Sequence, residues 1–208
     1  MPRRFDSLER AIDAIRLGGL VILFDREDRE HEGDLVGAGA LATAETINTL
    51  VTHGRGAYVV AYLPHGRAAD LGIPPMARSG STGDTGSPRR PRCMTAVDGA
   101  ECGSGSSAAD RAHTVRALSA PEAIPDDLVM PGHIVPIEAD RLGLTGRVGH
   151  TEAAVELVRG AGFDPPVAVG IEVLAADGSM ADLDTLEALS HELGMPIVAI
   201  DQLRVGST

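Results

Sequence analysis

The sequence contains no lysine and no tryptophan, and only two tyrosines, three phenylalanines and two cysteines in 208 residues. Without lysine there can be no lysine Schiff base, and no P-loop that needs its phosphate-binding lysine. With aromatics at 2%, a nucleic-acid binder that stacks bases on aromatic platforms is disfavoured. Positive charge is scarce as well. All 18 basic residues are arginine, and against 30 acidic ones they leave a formal net charge of −12. Such a surface repels a nucleic-acid backbone or an anionic membrane. The longest apolar run, Leu20 to Phe24, is too short to cross a bilayer, and the start Met1-Pro2-Arg3-Arg4-Phe5-Asp6 has no apolar signal core. These absences read as a cytoplasmic protein with no nucleic-acid and no membrane partner. Cys93 and Cys102 lie nine apart without zinc-type pair spacing. A disulfide is open to them, but free thiols suit a cytoplasmic chain better. An anionic ligand must then be held by arginine, by backbone N–H groups or by a metal ion.

What is present is ordinary for a globular protein: 43% hydrophobic and 23% charged residues. At about 150 residues per domain the length suggests one domain, or two small ones at most. Leu8, Ile12 and Ile15 predict a helix over 7–17, closed by Gly18-Gly19. A buried strand follows over 20–24, then an acidic loop from Asp25 to Asp34, and a strand or turn over 35–40. A helix is expected over 43–53 and a strand over 57–63. Residues 73–106 are dominated by Pro, Gly, Ser and Thr, interrupted by Arg89, Arg90 and Arg92, and only 93–97 look able to pair as a strand. So long a stretch is a functional loop, a disordered one or a linker. Ser107 with Asp110 resembles a capping box opening a helix that runs to about Leu118. Further on, strands are expected over 132–137, 167–174 and 197–200, and helices over 151–161 and 183–193. The methionines read as core filler. No Gly-x-Gly-x-x-Gly follows a strand, so a dinucleotide fold has no support.

Four places carry chemistry. Asp25 to Asp34 holds six carboxylates, two arginines and His31 in ten residues. A solvated charged turn is one reading. The other is a divalent-cation site of hard oxygen ligands with a histidine at the end of a buried strand. Arg147-Val148-Gly149-His150-Thr151-Glu152 opens a helix, where free N–H groups and the dipole can hold phosphate. Arg147 adds a bidentate charge there, although the segment also reads as a plain capped helix. His133 follows Pro131-Gly132 and is either a proton-transfer group or a satisfied histidine. Glu172 lies in the apolar run Val169-Gly170-Ile171-Glu172-Val173-Leu174. A carboxylate there must be paired, neutralised, used, or exposed at a sheet edge. His53, His65, His113 and His191 read as structural.

Taken together these segments resemble the 3,4-dihydroxy-2-butanone 4-phosphate synthase family of riboflavin biosynthesis. The residues that carry the likeness are Asp25-Arg26-Glu27-Asp28-Arg29-Glu30-His31-Glu32-Gly33-Asp34, Ser107-Ala108-Ala109-Asp110-Arg111, Thr114, Pro131-Gly132-His133, and Arg147-x-Gly149-His150-Thr151-Glu152-Ala153, in that order. The resemblance spans most of the chain. It implies a single-domain α+β fold with a mixed β-sheet between helical layers (α-β-α). It also implies a homodimer and a lyase dependent on Mg²⁺ or Mn²⁺, with no organic cofactor. That lyase converts D-ribulose 5-phosphate to 3,4-dihydroxy-2-butanone 4-phosphate and formate by enediolate formation, skeletal rearrangement and loss of C4. By position, it implies Glu30 and His150 as metal ligands. Arg29, Glu30, Asp34, Arg147, Val148, Gly149, His150, Thr151 and Glu172 fall at substrate-binding positions, and His133, Glu172 and Asp34 at catalytic ones.

Some positions depart from the family's pattern. His31 stands where the family has Asn, and Met130 where it has Arg. Arg92-Cys93-Met94-Thr95-Ala96-Val97 and Gly103-Ser104-Gly105 replace a Thr/Phe-rich segment and a Thr-Thr-Gly. These differences leave two alternatives beside the synthase: a same-fold enzyme diverted to another sugar phosphate, or a non-catalytic sugar-phosphate-binding paralogue. No cysteine-rich zinc segment follows within the sequence, so the GTP cyclohydrolase half of the family's common fusion is not expected.

Overall fold

The apolar run at 20–24 forms a strand buried on both faces. The computed structural model describes residues 4–25, 32–76 and 91–205. Arg29, Glu30, His31, Arg89 and Arg90 lie outside the described residues. The strands are β1 (Val21–Phe24), β2 (Gly33–Ala38), β3 (Val60–Leu63), β4 (Arg92–Cys93), β5 (Val97–Gly99), β6 (Leu128–Glu138), β7 (Ala168–Glu172) and β8 (Ile197–Ala199). They join in the order β4-β6-β3-β7-β2-β1-β8, with β5 also paired to β6. The pairs β3–β6 and β1–β8 are parallel, and the other pairings are antiparallel. The sheet is therefore mixed, as expected.

The helices are α1 (Leu8–Arg16), α2 (Ala44–Thr49), α3 (Arg67–Asp70), α4 (Ala108–Ser119), α5 (His150–Gly160), α6 (Leu183–Leu193) and α7 (Ile200–Val205). Side chains alternate across the strands. Ile22, Phe24, Leu35 and Ile171 meet Ile47, Leu118 and Leu186 of α2, α4 and α6 in one core. Val21, Leu23, Val36 and Ala168 meet Ile15, Leu157 and Leu203 of α1, α5 and α7 in the other. Two helical layers with a sheet between them is the expected α+β, α-β-α arrangement.

Side-chain caps start most of the longer helices. Ser7 accepts from the Arg10 N–H at 3.3 Å, Ser107 from Asp110 at 3.0 Å and Asp182 from Thr185 at 2.9 Å, each satisfying one orphan donor. α5 differs, because its N-cap is Gly149, which has no side chain to offer.

Several sequence expectations need correction. The helix expected over 43–53 is α-helical only to Thr49 and then widens into a π-type turn, Leu50–Gly54. There the chain presses against β7: a Cβ on Gly54 would lie 2.2 Å from Ile171 Cγ2. The strand expected over 93–97 is split into β4 and β5. Thr95 turns its N–H to Pro74 O at 2.9 Å, away from β6. β6 extends beyond 132–137 at both ends, because β5 pairs with its first half. The short helices α3 and α7 gave no sequence signal. Met94 is core, but Met76 and Met130 are 43% and 39% exposed.

Candidate active site

Asp34 near the start of β2 and Glu172 at the end of β7 are direct cross-strand partners. By strand alternation they share the sheet face of Val36 and Ala38, on which α5 packs. Like charges placed so close repel one another, so a structural role alone does not explain the pair. Glu172 is exposed, but not because β7 is an edge strand. β7 lies between β3 and β2, and Glu172 reaches out from its end.

From β3, buried Tyr62 donates its hydroxyl to Asp34 Oδ2. Asp34 Oδ1 is buried without a hydrogen-bond partner among the described residues. Gly170 makes room for the ring: a Cβ there would meet Tyr62 Cε2 at 2.8 Å and Leu35 O at 2.6 Å. Burial, and next the Asp34 charge, hold the Tyr62 phenol well above its ordinary range. The folded phenol therefore keeps its proton at a pH where the unfolded one has lost it. Its stabilising contribution is complete below about pH 10 and is lost as pH rises above that. Thermal midpoints between pH 8 and 11 should fall more steeply for the wild type than for Tyr62→Phe; parallel declines would contradict this account.

The start of α5 supplies the second wall. Arg147 Nη1 bonds Glu152 Oε2 at 2.7 Å, and Glu152 Oε1 accepts the Asp140 N–H at 2.9 Å. Glu152 is buried and therefore fixes the guanidinium, whose Nε is buried without a partner among the described residues. His150 is only 9% exposed, and its Nε2 has no partner among the described residues. Thr151 sits one residue further into the helix. Val148 packs toward the core instead, and Gly149 serves as the N-cap.

His133 comes from β6, where β5 bulges between Val97 and Asp98. Its backbone N–H donates to Asp98 Oδ1 at 2.9 Å, and its Nδ1 lies 2.7 Å from Asp98 Oδ2. Only glycine can precede it, since a Cβ on Gly132 would fall 2.0 Å from the Val97 carbonyl carbon.

These walls enclose one cavity of about 740 Å³. Asp34, His133, Arg147, His150, Thr151 and Glu172 all line it. Val148 and Gly149 do not, and Arg29 and Glu30 are outside the described residues. Among the described residues no group of three or more His, Cys, Asp or Glu forms a metal cluster. The donors that are present still suit a hard divalent ion: an unpartnered buried imidazole nitrogen on His150 and an unpartnered carboxylate oxygen on Asp34. Both cysteines are free thiols, and Cys93 lies on the cavity wall. No helix among the described residues is long and apolar enough to cross a membrane.

Asp98 and Tyr62 are functional residues that the sequence motifs do not include, and Glu152, which they do include, gains its role of holding Arg147 from the structure. Asp98 carried a usable signal, a carboxylate beside the apolar Ala96-Val97. So did Tyr62, a phenol in an apolar strand that must find a partner.

Comparison with known proteins gives a consistent result. Residues 9–205 match the family model for 3,4-dihydroxy-2-butanone 4-phosphate synthase. The chain is 42% identical over 200 residues to the 3,4-dihydroxy-2-butanone 4-phosphate synthase of Pseudomonas aeruginosa, covering 95% of this chain and 53% of that protein. It is 41% identical over 197 residues to that of Agrobacterium fabrum, covering 95% and 90%. A solved 3,4-dihydroxy-2-butanone 4-phosphate synthase in complex with two magnesium ions superposes with a TM-score of 0.87 at 32% identity, covering 98% of each chain. The chain spans about half the length of several of the curated relatives it matches.

Proposed function

This chain belongs to the 3,4-dihydroxy-2-butanone 4-phosphate synthase family, and from that premise we propose that it converts D-ribulose 5-phosphate to 3,4-dihydroxy-2-butanone 4-phosphate and formate. The observation that carries the proposal is the gathering of Asp34, Glu172, His133, His150 and the Arg147–Thr151 helix start around one cavity. The reaction balances without an oxidant: five carbons leave as four plus one, and the water eliminated from the enediol is regained on hydration before formate departs. No organic cofactor is called for.

The uncapped N–H groups at the start of α5, the guanidinium of Arg147 and the hydroxyl of Thr151 hold the phosphate. Glu172 and Asp34, facing each other across two strands, and His133, held by Asp98, are the groups able to take the C3 proton and to protonate the departing hydroxyl. Tyr62 keeps Asp34 oriented and removes one of its oxygens from contention. His150, with Glu30 from the segment outside the described residues, would hold the divalent ion. The two magnesium ions in the solved relative support Mg²⁺, and Mn²⁺ would serve equally by its oxygen-ligand preference. An ion held there would supply Lewis-acid polarisation of the substrate carbonyl.

The same reading makes the protein a cytoplasmic homodimer with a small-molecule partner only. Exposed Tyr58 and Met76 at the cavity, with Val129 and Met130 on β6, offer the apolar surface for a second copy. One observation favours a second reading, a same-fold enzyme for a related sugar phosphate. The divergent segment places Pro91 and Cys93 on the cavity wall, where they can alter substrate choice.

The test is to incubate purified protein with ribulose 5-phosphate and Mg²⁺ and to assay formate and the four-carbon phosphate. Equimolar products that vanish with EDTA and return with Mg²⁺ are expected. Binding without turnover would replace the synthase with a binding module, and turnover of a different pentulose phosphate alone would favour the diverted enzyme.

A further inference from the structure

We propose that Asp98 is the positioning residue of His133, fixing the imidazole as the Nδ1–H tautomer so that Nε2 presents its lone pair to the cavity. The inference rests on the reading of His133 as a proton-transfer group and extends it to a residue from a different strand.

Asp98 grips His133 at two points. Oδ1 accepts the backbone N–H at 2.9 Å, and Oδ2 lies 2.7 Å from ring Nδ1. The first bond fixes the carboxylate plane, and the second fixes the ring. A carboxylate oxygen at that distance accepts the Nδ1 proton, which leaves Nε2 as the acceptor nitrogen. The asymmetry of burial fits this division. Asp98 is 7% exposed, whereas the His133 side chain is 47% exposed and lines the cavity.

Three further features build the pair into the fold. The β-bulge between Val97 and Asp98 turns the carboxylate toward β6. Gly132 lets the β6 backbone lie against Val97. Gly105, at φ +79°, covers the pair so closely that a Cβ there would fall 2.0 Å from Asp98 Oδ2 and 2.7 Å from His133 Nδ1. A side chain at 105 would break the contact, and glycine alone adopts that left-handed conformation readily. A lone surface ion pair needs none of these accommodations.

The isosteric substitution Asp98→Asn gives a sharp test. The His133 N–H still requires an oxygen at the Oδ1 position, so the amide NH₂ faces Nδ1. The ring must then accept at Nδ1 and carry its proton on Nε2, which removes the cavity-facing lone pair without removing any atom. ¹⁵N NMR of the ring nitrogens in alkaline buffer should show the Nδ1–H tautomer for wild-type His133 and the Nε2–H tautomer in Asp98→Asn. With ribulose 5-phosphate and Mg²⁺, kcat should fall about 100-fold while KM stays within about threefold. An Nε2–H wild type, or an Asn variant with wild-type kcat, overturns the proposal. The wild-type spectrum decides even if the variant does not fold. His133→Ala separates the two levels. If it is inactive while Asp98→Asn is fully active, only the role of Asp98 fails. If it turns over at the wild-type rate, the acid–base reading of His133 fails and takes the role of Asp98 with it.

Discussion

Glu172→Gln should lower kcat on the order of 10³-fold and leave KM for ribulose 5-phosphate nearly unchanged. The amide has the shape of the carboxylate and keeps its hydrogen-bonding reach, so packing and substrate contacts survive; it can no longer take up a proton. The backbone at 172 is held independently, accepting the Gly56 N–H at 3.1 Å and pairing with Asp34 across β2. Removing one of two facing carboxylates also relieves repulsion, so the thermal midpoint should hold or rise slightly. Steady-state kinetics with a formate readout checks this. A loss confined to KM would make Glu172 a binding group, and unchanged kinetics would remove it from the site.

His150→Ala should abolish turnover to a similar extent, about 10³-fold or more, and excess Mg²⁺ should not restore it. The imidazole is buried and its Nε2 has no partner among the described residues, and a bound ligand would supply one. The fold should tolerate the change. α5 is anchored by Leu157 and Val158 in the core below, and alanine is the best helix former. Paramagnetic Mn²⁺ titration supplies a readout apart from activity. The wild type should bind Mn²⁺, and the variant should bind it far more weakly. Equal affinity in both would take His150 out of the metal site. Glu30→Gln should behave in the same way.

Much of the fold was legible because its signals are local. The period of Leu8, Ile12 and Ile15 marks α1, and the cap at Ser107 marks the start of α4. The gapless apolar run at β1 shows that it is covered on both faces. What escaped depended on tertiary contact. The helix after Thr49 widens where Gly54 lies against Ile171, and the strand after Cys93 breaks where Thr95 bonds Pro74. Nothing within either segment encodes those partners.

The site divides along the same line. Glu172 stood out as a charge in an apolar strand, and the helix start at Arg147–Thr151 as a motif. That Asp34 faces Glu172, 138 positions further along the chain, follows from strand register, which no local pattern reveals. The roles of Asp98 and Tyr62 are likewise defined by their partners, His133 and Asp34, which are distant in sequence. Glu30 and Arg29 were read from the acidic segment and lie outside the described residues, so their assignment rests on the resemblance alone.

Excision of one particular carbon is what separates the proposed synthase from any other sugar-phosphate enzyme. The most direct measurement is ¹³C NMR of a reaction of purified protein with [4-¹³C]ribulose 5-phosphate and Mg²⁺. The label should leave as [¹³C]formate, and the four-carbon phosphate should be unlabelled. Retention of the label in the sugar phosphate, or no formate from a folded, metal-loaded protein, would contradict the proposed function.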